Sequence, residues 1–265
     1  MKVSIITVVY NNVNFIIDCI DSVFHQTYSD IEYIVIDGGS TDGTQQKIRP
    51  FLKNISYFVS EKDMGIYDAY NKGIKMATGN IIGILNSDDF FYRKNTVEKI
   101  VEKFEQSGAD LVYGKGIFVD QTKTFDVKRI YPSNPFKKNY LLFGWIPLHP
   151  TIYVRREIYE KYGFYDQQYK IAGDYEMSLR WFRNEHIKKT YLDEWVVRMR
   201  LGGRSTTLDL QKQKSMEDLQ IIRKNHLLGL FTLCFKIARK VPHYLIPRLS
   251  PTGKFFRVEG DDINS

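Results

Sequence analysis

The sequence has few cysteines and no long apolar run. Cys19 and Cys234 are its only cysteines, which excludes a disulfide framework and a cysteine-rich zinc site. The longest stretch without a formal charge, residues 139–154, includes two prolines, whereas a membrane-spanning helix needs about 20 apolar residues. The apolar run Val3–Tyr10 is too short for a secretory signal, and no small-residue cleavage site follows it. We therefore expect a protein that is cytoplasmic or faces the cytoplasm.

Acidic residues are scarce in one segment near the C-terminus. The net charge of the chain is +7, and residues 205–258 carry 10 Lys and Arg against 3 Asp and Glu. A basic excess is typical of proteins that bind nucleic acid, anionic membranes or anionic small molecules. The sequence has no zinc-finger spacing, no aromatic RNA-binding signature and no basic-region heptads. We therefore expect no nucleic-acid partner.

Apolar β-branched runs alternate with amphipathic helical patterns over the first part of the chain. Val3–Tyr10 and Ile31–Ile36 predict strands that are buried on both faces. Further strands are predicted at residues 55–60, 80–85 and 110–114. This alternation predicts an α/β fold with a mostly parallel sheet and helices on both faces.

The pattern changes after residue 115. A hairpin is predicted at residues 117–131, and the aromatic, proline-broken stretch from Phe136 to Pro150 predicts a loop. We divide the chain into residues 1–115, which would bind a nucleotide, residues 116–204, which would bind a second substrate, and a helical tail at 205–265.

Polar residues stand where the predicted strands end. Tyr10 closes the first strand, Asp37 closes the second, and Asn86-Ser-Asp-Asp89 follows the fourth. Ligands of open α/β sheets bind beyond the carboxyl ends of the strands, so these residues define a candidate site. The glycine-rich loop after Asp37 fits a contact with a nucleoside, whereas Asp42 is expected to cap the next helix.

The adjacent carboxylates Asp88 and Asp89 fit a hard cation. Mg²⁺ or Mn²⁺ takes one or two protein carboxylates together with phosphate oxygens. A solvated turn or a helix cap is the alternative, and the nearby Asp37 favours the metal or phosphate role. Asp63 follows the third strand and lies at the same edge. Lys72 is either a phosphate contact or a solvated helix residue.

Asp174 is predicted to stand at the N-terminus of a helix, where an N-cap is the simplest role. A group transfer also needs a carboxylate that accepts the proton of the attacking hydroxyl, and Asp174 and Glu176 are the candidates. His149 is expected to be structural rather than a ligand of a metal or an acceptor. Arg204, after Gly202-Gly203, belongs either to a loop that closes over phosphate or to a strand-end turn.

Four segments, taken in order, resemble the inverting glycosyltransferases of family 2, which have the GT-A fold. They are Ser4–Asn11, Ile36–Thr44, Asp63–Gly73 and Leu85–Asp89. Gly173-Asp174 and Arg200–Ser205 extend the resemblance to about residue 205. The branch that builds bacterial capsule, colanic-acid and lipopolysaccharide chains is the most similar.

The resemblance implies transfer of a sugar, with inversion, from a nucleotide sugar to a glycan or lipid-linked glycan acceptor, with UDP the common nucleotide. The donor-binding residues that it implies are Tyr10, Asp37, Asp63, Lys72, Asn86 and Asp88. Asp88 and Asp89 would hold Mn²⁺ or Mg²⁺, and Asp174 would be the catalytic base. The sequence departs from the family in two places. Asn86 stands where the metal motif begins with Asp, and Gly173 stands where Glu usually precedes the base.

The tail predicts a basic amphipathic helix. Its apolar residues recur at helical spacing, between flanking Lys and Arg residues, at Leu227, Leu228, Leu230, Phe231, Leu233, Cys234 and Ile237. Such a helix suits an anionic membrane interface and would hold the enzyme on the inner face of the cell membrane, near a lipid-linked acceptor. The alternative is that its apolar face packs on the catalytic domain or on a second subunit.

Two other functions fit parts of the pattern. A sugar nucleotidyltransferase shares the sheet and the metal, but it needs a glycine-rich phosphate loop after the first strand, where this chain has Asn11-Asn-Val-Asn-Phe15. A catalytically weak nucleotide-binding scaffold would account for Asn86, but Asp88, Asp89 and Asp174 argue against it.

Overall fold

The structure, a computed structural model, describes residues 1–202 and 208–249. Its strands are β1 (Val3–Val9), β2 (Ile31–Asp37), β3 (Tyr57–Ser60), β4 (Ile81–Ile84), β5 (Phe90–Phe91), β6 (Leu111–Val119), β7 (Val127–Tyr131), β8 (Ile152–Arg155) and β9 (Lys189–Arg200). Its α-helices are α1 (Ile16–Phe24), α2 (Thr44–Ile48), α3 (Ile66–Met76), α4 (Thr96–Ser107), α5 (Arg156–Tyr162), α6 (Gly173–Arg183), α7 (Leu208–Lys224), α8 (Leu230–Ala238) and α9 (Lys240–Leu249). Short 3₁₀ turns lie at Arg49–Phe51, Lys138–Phe143 and His149–Thr151.

The first half of the sheet is built as the sequence predicts. β1 lies between β2 and β4 and is parallel to both, and β3 extends the parallel set beyond β2. Every residue of β1 is buried, and its side chains alternate between two cores. Ile6 and Val8 face the core under α3 and α6, whereas Ile5 and Val9 face the core under α1 and α4. Helices therefore cover both faces, as expected for a strand without a polar side.

The sheet as a whole is mixed, and the prediction of a mostly parallel sheet is wrong for its second half. The strand order is β3-β2-β1-β4-β8-β6-β9-β5, with β7 paired to β6. β8 is antiparallel to both β4 and β6, and β5 and β7 are antiparallel to their partners. β6 is parallel to β9.

β6 is longer than the sequence predicts, and it pairs with three other strands. The strand does not end at Gly114 as predicted but continues to Val119. On one edge its first residues pair with β8 and its last residues pair with β7, while β9 runs along the other edge. The β6–β7 pair confirms the predicted hairpin. β8 was not predicted, because four residues after a proline-broken loop carry no periodic signal.

The C-terminal helices pack on the body of the protein. α7 contacts α6, α8 packs on the Lys138–Phe143 turn, and α9 lies along β7. Leu233 is buried, whereas Leu230, Phe231 and Ile237 are about half exposed. One face of the tail thus packs on its own domain, which was the alternative to a membrane contact for its apolar face. The described helices include none that is both long and apolar enough to cross a bilayer. Arg204 and residues 250–265 lie outside the described residues.

Candidate active site

The carboxyl ends of β1, β2 and β4 meet at one edge of the sheet. Val9 and Asp37 are partners in the parallel register, and β4 ends two residues before Asn86. The Asn12 side-chain amide donates a hydrogen bond of 2.8 Å to the Ser87 hydroxyl, which ties the loop after β1 to the loop after β4. The predicted convergence of these strand ends is confirmed.

Asp37 is wholly buried and supports the loop that follows it. Its carboxylate accepts hydrogen bonds from the Ser40 amide and hydroxyl and, at 2.6 Å, from the Ser60 hydroxyl. The Ser40 hydroxyl in turn accepts the Asn11 backbone amide at 2.8 Å. Asp37 therefore links the loops after β1 and β2 to the end of β3. Its contact with the nucleoside, which the resemblance implies, stays a prediction.

Asp42 orders the start of α2. Its carboxylate accepts the Thr44 amide at 3.0 Å and the Thr44 hydroxyl at 2.6 Å. It also accepts the Val13 amide at 3.0 Å, from the loop after β1. The N-cap position of α2 is Gly43, so Asp42 orders the start of the helix from the residue before the cap and not as the cap that the sequence predicted.

The backbone of Gly38 lies close to the side chains of both Tyr10 and Asp63. A Cβ atom at position 38 would stand 2.9 Å from Asp63 Oδ2 and 3.4 Å from Tyr10 Cδ2, so a larger residue would displace one of them. Tyr10 is 48% exposed. Two of the predicted donor-binding residues, Tyr10 and Asp63, are thus brought together at the surface.

Lys72 is held by three carboxylates. Its Nζ lies 2.6 Å from Asp63, 2.8 Å from Glu61 and 3.4 Å from Asp68. Desolvation opposes the charge, but the hydrogen bonds to Asp63 and Glu61 prevail and raise the pKa of Lys72 above its ordinary value. Lys72 therefore holds Asp63 in place. Its contact with donor phosphates stays a prediction.

Asn86 braces the turn that carries Asp88 and Asp89. Its Oδ1 accepts the Tyr70 hydroxyl at 2.6 Å, and its Nδ2 donates to Asp89 Oδ2 at 2.8 Å. An aspartate at position 86 could not donate to Asp89 and would add a third carboxylate to the turn. The departure from the family motif therefore has a structural reason, because the amide partly compensates a buried charge.

The Asp88–Asp89 pair fits a divalent cation. Asp89 is 1% exposed, and its Oδ1 has no hydrogen-bond partner among the described residues. Burial and the charge of Asp88 raise the pKa of Asp89 well above its ordinary value, and burial also raises the pKa of Asp88. A cation would relieve both effects. No cluster of three or more His, Cys, Asp or Glu side chains in residues 1–202 and 208–249 could hold a metal, so an ion here would need further ligands from a bound diphosphate.

Arg200 anchors the same turn from the end of β9, a role that the sequence did not reveal. Its Nη1 donates to the Asp88 carbonyl oxygen at 2.8 Å, its Nε donates to the Gln121 carbonyl at 3.0 Å, and its Nη2 pairs with Asp18. The guanidinium charge lowers the pKa of both Asp88 and Asp89 and so partly offsets their burial.

Asp174 lies in the first turn of α6, as predicted. Its Oδ1 stands 4.0 Å from Lys214 Nζ and has no hydrogen-bond partner in the described part of the chain. Burial opposes ionisation, but the charges of Lys214, His149 and Lys236 lower the pKa of Asp174. Because its side chain is 36% exposed, this ionised carboxylate is open to a substrate that offers a proton.

Tyr70 is close enough to both Asp174 and the Asp88–Asp89 turn to be affected by their charges. Its hydroxyl is bonded to Asn86 at the start of the turn. Burial and the charges of Asp174, Asp89 and Asp88 all raise the pKa of this phenol well above its ordinary value. The candidate base and the candidate metal ligands therefore all lie near one buried tyrosine.

Two other candidates have partners within the protein. The His149 Nε2 is bonded to the Tyr165 hydroxyl at 2.5 Å, and its ring packs on Tyr70 with the centroids 5.7 Å apart. This agrees with the expected structural role of His149. Glu176 pairs with Arg180 at 2.5 Å, which leaves Asp174 as the more available carboxylate of α6.

Gly173 precedes the candidate base because Tyr67 fills the adjacent space. A Cβ atom at position 173 would lie 2.8 Å from two ring atoms of Tyr67. The Tyr67 hydroxyl donates to the Ile171 carbonyl at 2.8 Å and accepts the Asp174 amide at 3.3 Å. Tyr67 thus fixes the first turn of α6 and excludes the glutamate that the family usually has.

The sheet, the carboxylate turn after β4 and the acidic residue that opens α6 define the catalytic domain of a glycosyltransferase with a GT-A-like fold. The family model of glycosyl transferase family 2 matches residues 4–189. The chain belongs to this family.

Relatives and solved structures agree with this assignment. The chain is 31% identical over 199 residues, 72% of its length and 73% of the relative's, to a PGL/p-HBAD biosynthesis glycosyltransferase of Mycobacterium tuberculosis. The structure of S. aureus TarS 1–349 in complex with UDP-GlcNAc matches with a TM-score of 0.66 at 18% identity, over 96% of this chain and 74% of that one. The mannosyltransferase PcManGT from Pyrobaculum calidifontis, in complex with GDP-Man and Mn²⁺, matches with a TM-score of 0.65 at 18% identity, over 89% of this chain and 73% of that one.

The contact between Gly173 and Tyr67 can be tested by a double-mutant cycle. We expect Gly173→Ala to lower the free energy of unfolding by about 1–3 kcal/mol, because the new methyl group collides with the Tyr67 ring. In a Tyr67→Leu background the same substitution should cost less, since the smaller side chain leaves room for it. Urea unfolding of the four proteins measures the coupling. Additive effects within about 0.5 kcal/mol would contradict this account of Gly173.

Proposed function

We propose that the protein transfers a sugar from a nucleotide sugar, with UDP the first candidate nucleotide, to a growing cell-surface glycan, with inversion at the anomeric carbon. One observation carries this proposal. A buried carboxylate pair that fits a cation, Asp88 and Asp89, and an ionised carboxylate that fits a base, Asp174, all lie close enough to the buried Tyr70 for their charges to raise its pKa. An inverting displacement needs both kinds of group close to one reacting carbon.

The donor would lie across the carboxyl ends of the strands. The base and ribose would lie against Tyr10 and Asp63 next to the backbone of Gly38, with Asp37 ordering the loop that carries Gly38. The diphosphate would reach the Asn86–Asp89 turn, where Asp88 and Asp89 would hold Mn²⁺ or Mg²⁺. The complexes of TarS with UDP-GlcNAc and of PcManGT with GDP-Man and Mn²⁺ support a nucleotide sugar and leave the nucleotide open.

The chemical step follows from the positions of these groups. A bound divalent ion would neutralise the charge that develops on the departing nucleoside diphosphate. Asp174 accepts the proton of the acceptor hydroxyl while the new carbon–oxygen bond forms and the bond to the phosphate breaks. The low pKa of Asp174 keeps it ionised at neutral pH, ready to accept this proton. Asn86 and Arg200 hold the Asp88–Asp89 turn in place throughout.

The hydrogen bonds of Asn86 also bear on the alternative that the protein is a catalytically weak nucleotide-binding scaffold. Asn86, the residue that raised it, donates to Asp89 and thereby helps to keep the buried carboxylate charged. An amide in this role supports a working carboxylate pair rather than a degenerate one.

The acceptor would be a lipid-linked glycan presented at a membrane, as in the assembly of capsule or lipopolysaccharide chains. The support is an exposed aromatic cluster formed by Phe143, Phe231 and Phe235, which are each at least 40% exposed. The rings of Phe231 and Phe235 are 4.5 Å apart, and those of Phe143 and Phe235 are 5.4 Å apart. Arg223 and Lys224, in the last turn of α7, precede Phe231 along the chain, and basic residues next to exposed aromatics suit an anionic membrane interface.

We expect Asp174→Asn to lower the rate of sugar transfer by about 10²–10⁴-fold, because the amide cannot accept the acceptor proton. UDP affinity should change little, since Asp174 lies outside the donor site. Initial rates and UDP titration calorimetry measure the two quantities, and Asp126→Asn, on the β6–β7 hairpin, is the matched control. Loss of UDP binding in the Asp174 variant, or a rate close to that of the control, would count against Asp174 as the base.

A nucleotide panel tests the donor and the metal together. We expect one of UDP, GDP, dTDP and CDP to bind with Mn²⁺, to bind weakly in EDTA, and to lose its metal-dependent affinity in the variant Asp88→Ala/Asp89→Ala. Calorimetry measures these affinities, and Asp120→Ala/Asp126→Ala is a control that removes two carboxylates from an exposed turn. If no nucleotide binds, or if the site variant binds as tightly as wild type, the proposed donor site is wrong.

The membrane contact is tested by sedimentation with vesicles. We expect the protein to bind vesicles that contain phosphatidylglycerol at low salt, and Phe231→Ser/Phe235→Ser to weaken this binding, because the aromatic rings supply the apolar contact. Leu52→Ser/Tyr57→Ser removes two residues of similar exposure near the start of β3 and should have no effect. Equal sedimentation of the two double variants would exclude this aromatic cluster as the membrane contact.

A further inference from the structure

Basic side chains from four elements gather next to Asp174, on the side of the C-terminal helices. This basic cluster comes from β7, α7, α8 and α9, with one residue between α8 and α9, and it consists of Arg129, Lys214, Lys236, Arg239, Lys240 and His243. The carboxylates that act on its lysines are those of Asp174, Asp218 and, for Lys214, Glu217.

The cluster surrounds two tyrosines. Lys236 Nζ lies 3.1 Å from the ring centroid of Tyr175 and 2.7 Å from Asp218 Oδ1. The His243 ring lies 5.3 Å from the Tyr131 ring, and the Arg129 guanidinium lies 5.4 Å from it.

The position of α8 is fixed by its packing. The Thr232 hydroxyl donates to the Leu142 carbonyl at 2.8 Å and accepts the Leu228 amide at 3.1 Å. The backbone of Gly144 lies so close to α8 that a Cβ atom there would stand 2.5 Å from Lys236 Cβ. Lys236 is therefore held in place and does not swing freely in solvent.

Polar atoms of this region have no hydrogen-bond partner among the described residues. The Tyr175 hydroxyl and His243 Nδ1 are both buried, in side chains of residues that are 1% and 8% exposed. A buried hydroxyl and ring nitrogen without partners are costly, so they indicate that a group which can bond to them is missing.

The side chains of the cluster are partly buried, and their positive charges repel one another. Burial and the charge of Lys214 lower the pKa of Lys236 to about 7, and Asp218 compensates only part of this effect. Burial, Arg129 and Arg239 lower the pKa of His243 to about 4. Desolvation, Lys214 and Arg129 likewise lower the pKa of Lys240. A bound anion would reverse these shifts.

We infer that the basic cluster is a binding site for an anionic group of the acceptor, a phosphate or a carboxylate, which it holds next to Asp174. This inference rests on the proposed function, because it assigns the anion to the molecule whose hydroxyl Asp174 deprotonates. Lysine ammonium groups bind phosphate as point charges, and a phenol adds a neutral donor. Five of the six members of the cluster lie beyond residue 189, outside the segment that the family model matches, so the cluster would belong to this chain's own acceptor.

Calorimetry with the donor site disabled tests this inference. The protein carries Asp88→Ala/Asp89→Ala, and the probes are inorganic phosphate, glucuronate and geranyl phosphate. We expect at least one probe to bind, and Lys240→Gln/Arg239→Gln to weaken it about tenfold or more, because two cations of the site are lost. Lys53→Gln/Lys103→Gln removes the same charge far from the cluster and should bind as the parent does. Tighter binding of geranyl phosphate than of inorganic phosphate would identify a lipid phosphate, and preference for glucuronate would identify an acidic sugar.

Two results separate this inference from the proposed function. If wild type binds a nucleotide with Mn²⁺ but none of the three anions binds, or if the Lys240/Arg239 variant binds as the Lys53/Lys103 control does, the anion site is wrong and the donor site stands. If an anion binds and depends on Lys240 and Arg239 while no nucleotide binds, the anion site stands and the proposed transfer reaction is wrong. Thermal unfolding of each variant checks that a loss of binding does not come from a loss of folding.

Discussion

The buried carboxylate of Asp89 is the constraint on which the rest of the site depends. Taking a charge out of water costs several kcal/mol unless neighbouring groups compensate it. Here an amide from Asn86 and the guanidinium charge of Arg200 supply part of this compensation. Arg200 stands at the end of β9, a strand of twelve residues, and is itself paired with Asp18 on α1. Through Arg200, the turn that carries Asp89 is therefore linked to the mixed half of the sheet as well as to the parallel half. A divalent cation would balance the part of the Asp89 charge that Asn86 and Arg200 leave uncompensated.

The features that the sequence predicted are those that depend on near neighbours along the chain. An uninterrupted apolar run was enough to predict β1, because a strand buried on both faces needs no polar side. A role of Asp42 at the start of α2 could be predicted because its partner, Thr44, is two residues away. Asp174 could be placed at a helix start because a carboxylate is favoured there and because the resemblance pointed to the same residue. The convergence of the strand ends followed from the topology of parallel strands alone.

The features that could not be predicted depend on partners far away in sequence. Arg200 and Asp18 are separated by 182 positions, and no local pattern shows that they meet. Tyr67 and Asp174 are separated by 107 positions, so the sequence shows that Gly173 departs from the family but not that an aromatic ring requires it. β8 was not predicted because its register with β4 and β6, rather than its own composition, makes it a strand. An amphipathic pattern in the tail likewise shows that one face is apolar, but not whether protein or membrane covers it.

The C-terminal helices connect the acceptor to the chemistry. Lys214 and Lys236 lower the pKa of Asp174, which keeps the carboxylate ionised but also makes it a weaker base. An anion bound among these lysines would offset their charge and so raise the pKa of Asp174 toward its ordinary value. The base would then be strongest when the acceptor is in place and weaker when it is absent. By linkage, protonation of Asp174 would in turn strengthen anion binding, because the neutral carboxyl group no longer repels the bound anion. In this arrangement, binding of the acceptor's anionic group would make Asp174 a stronger base for the acceptor's own hydroxyl.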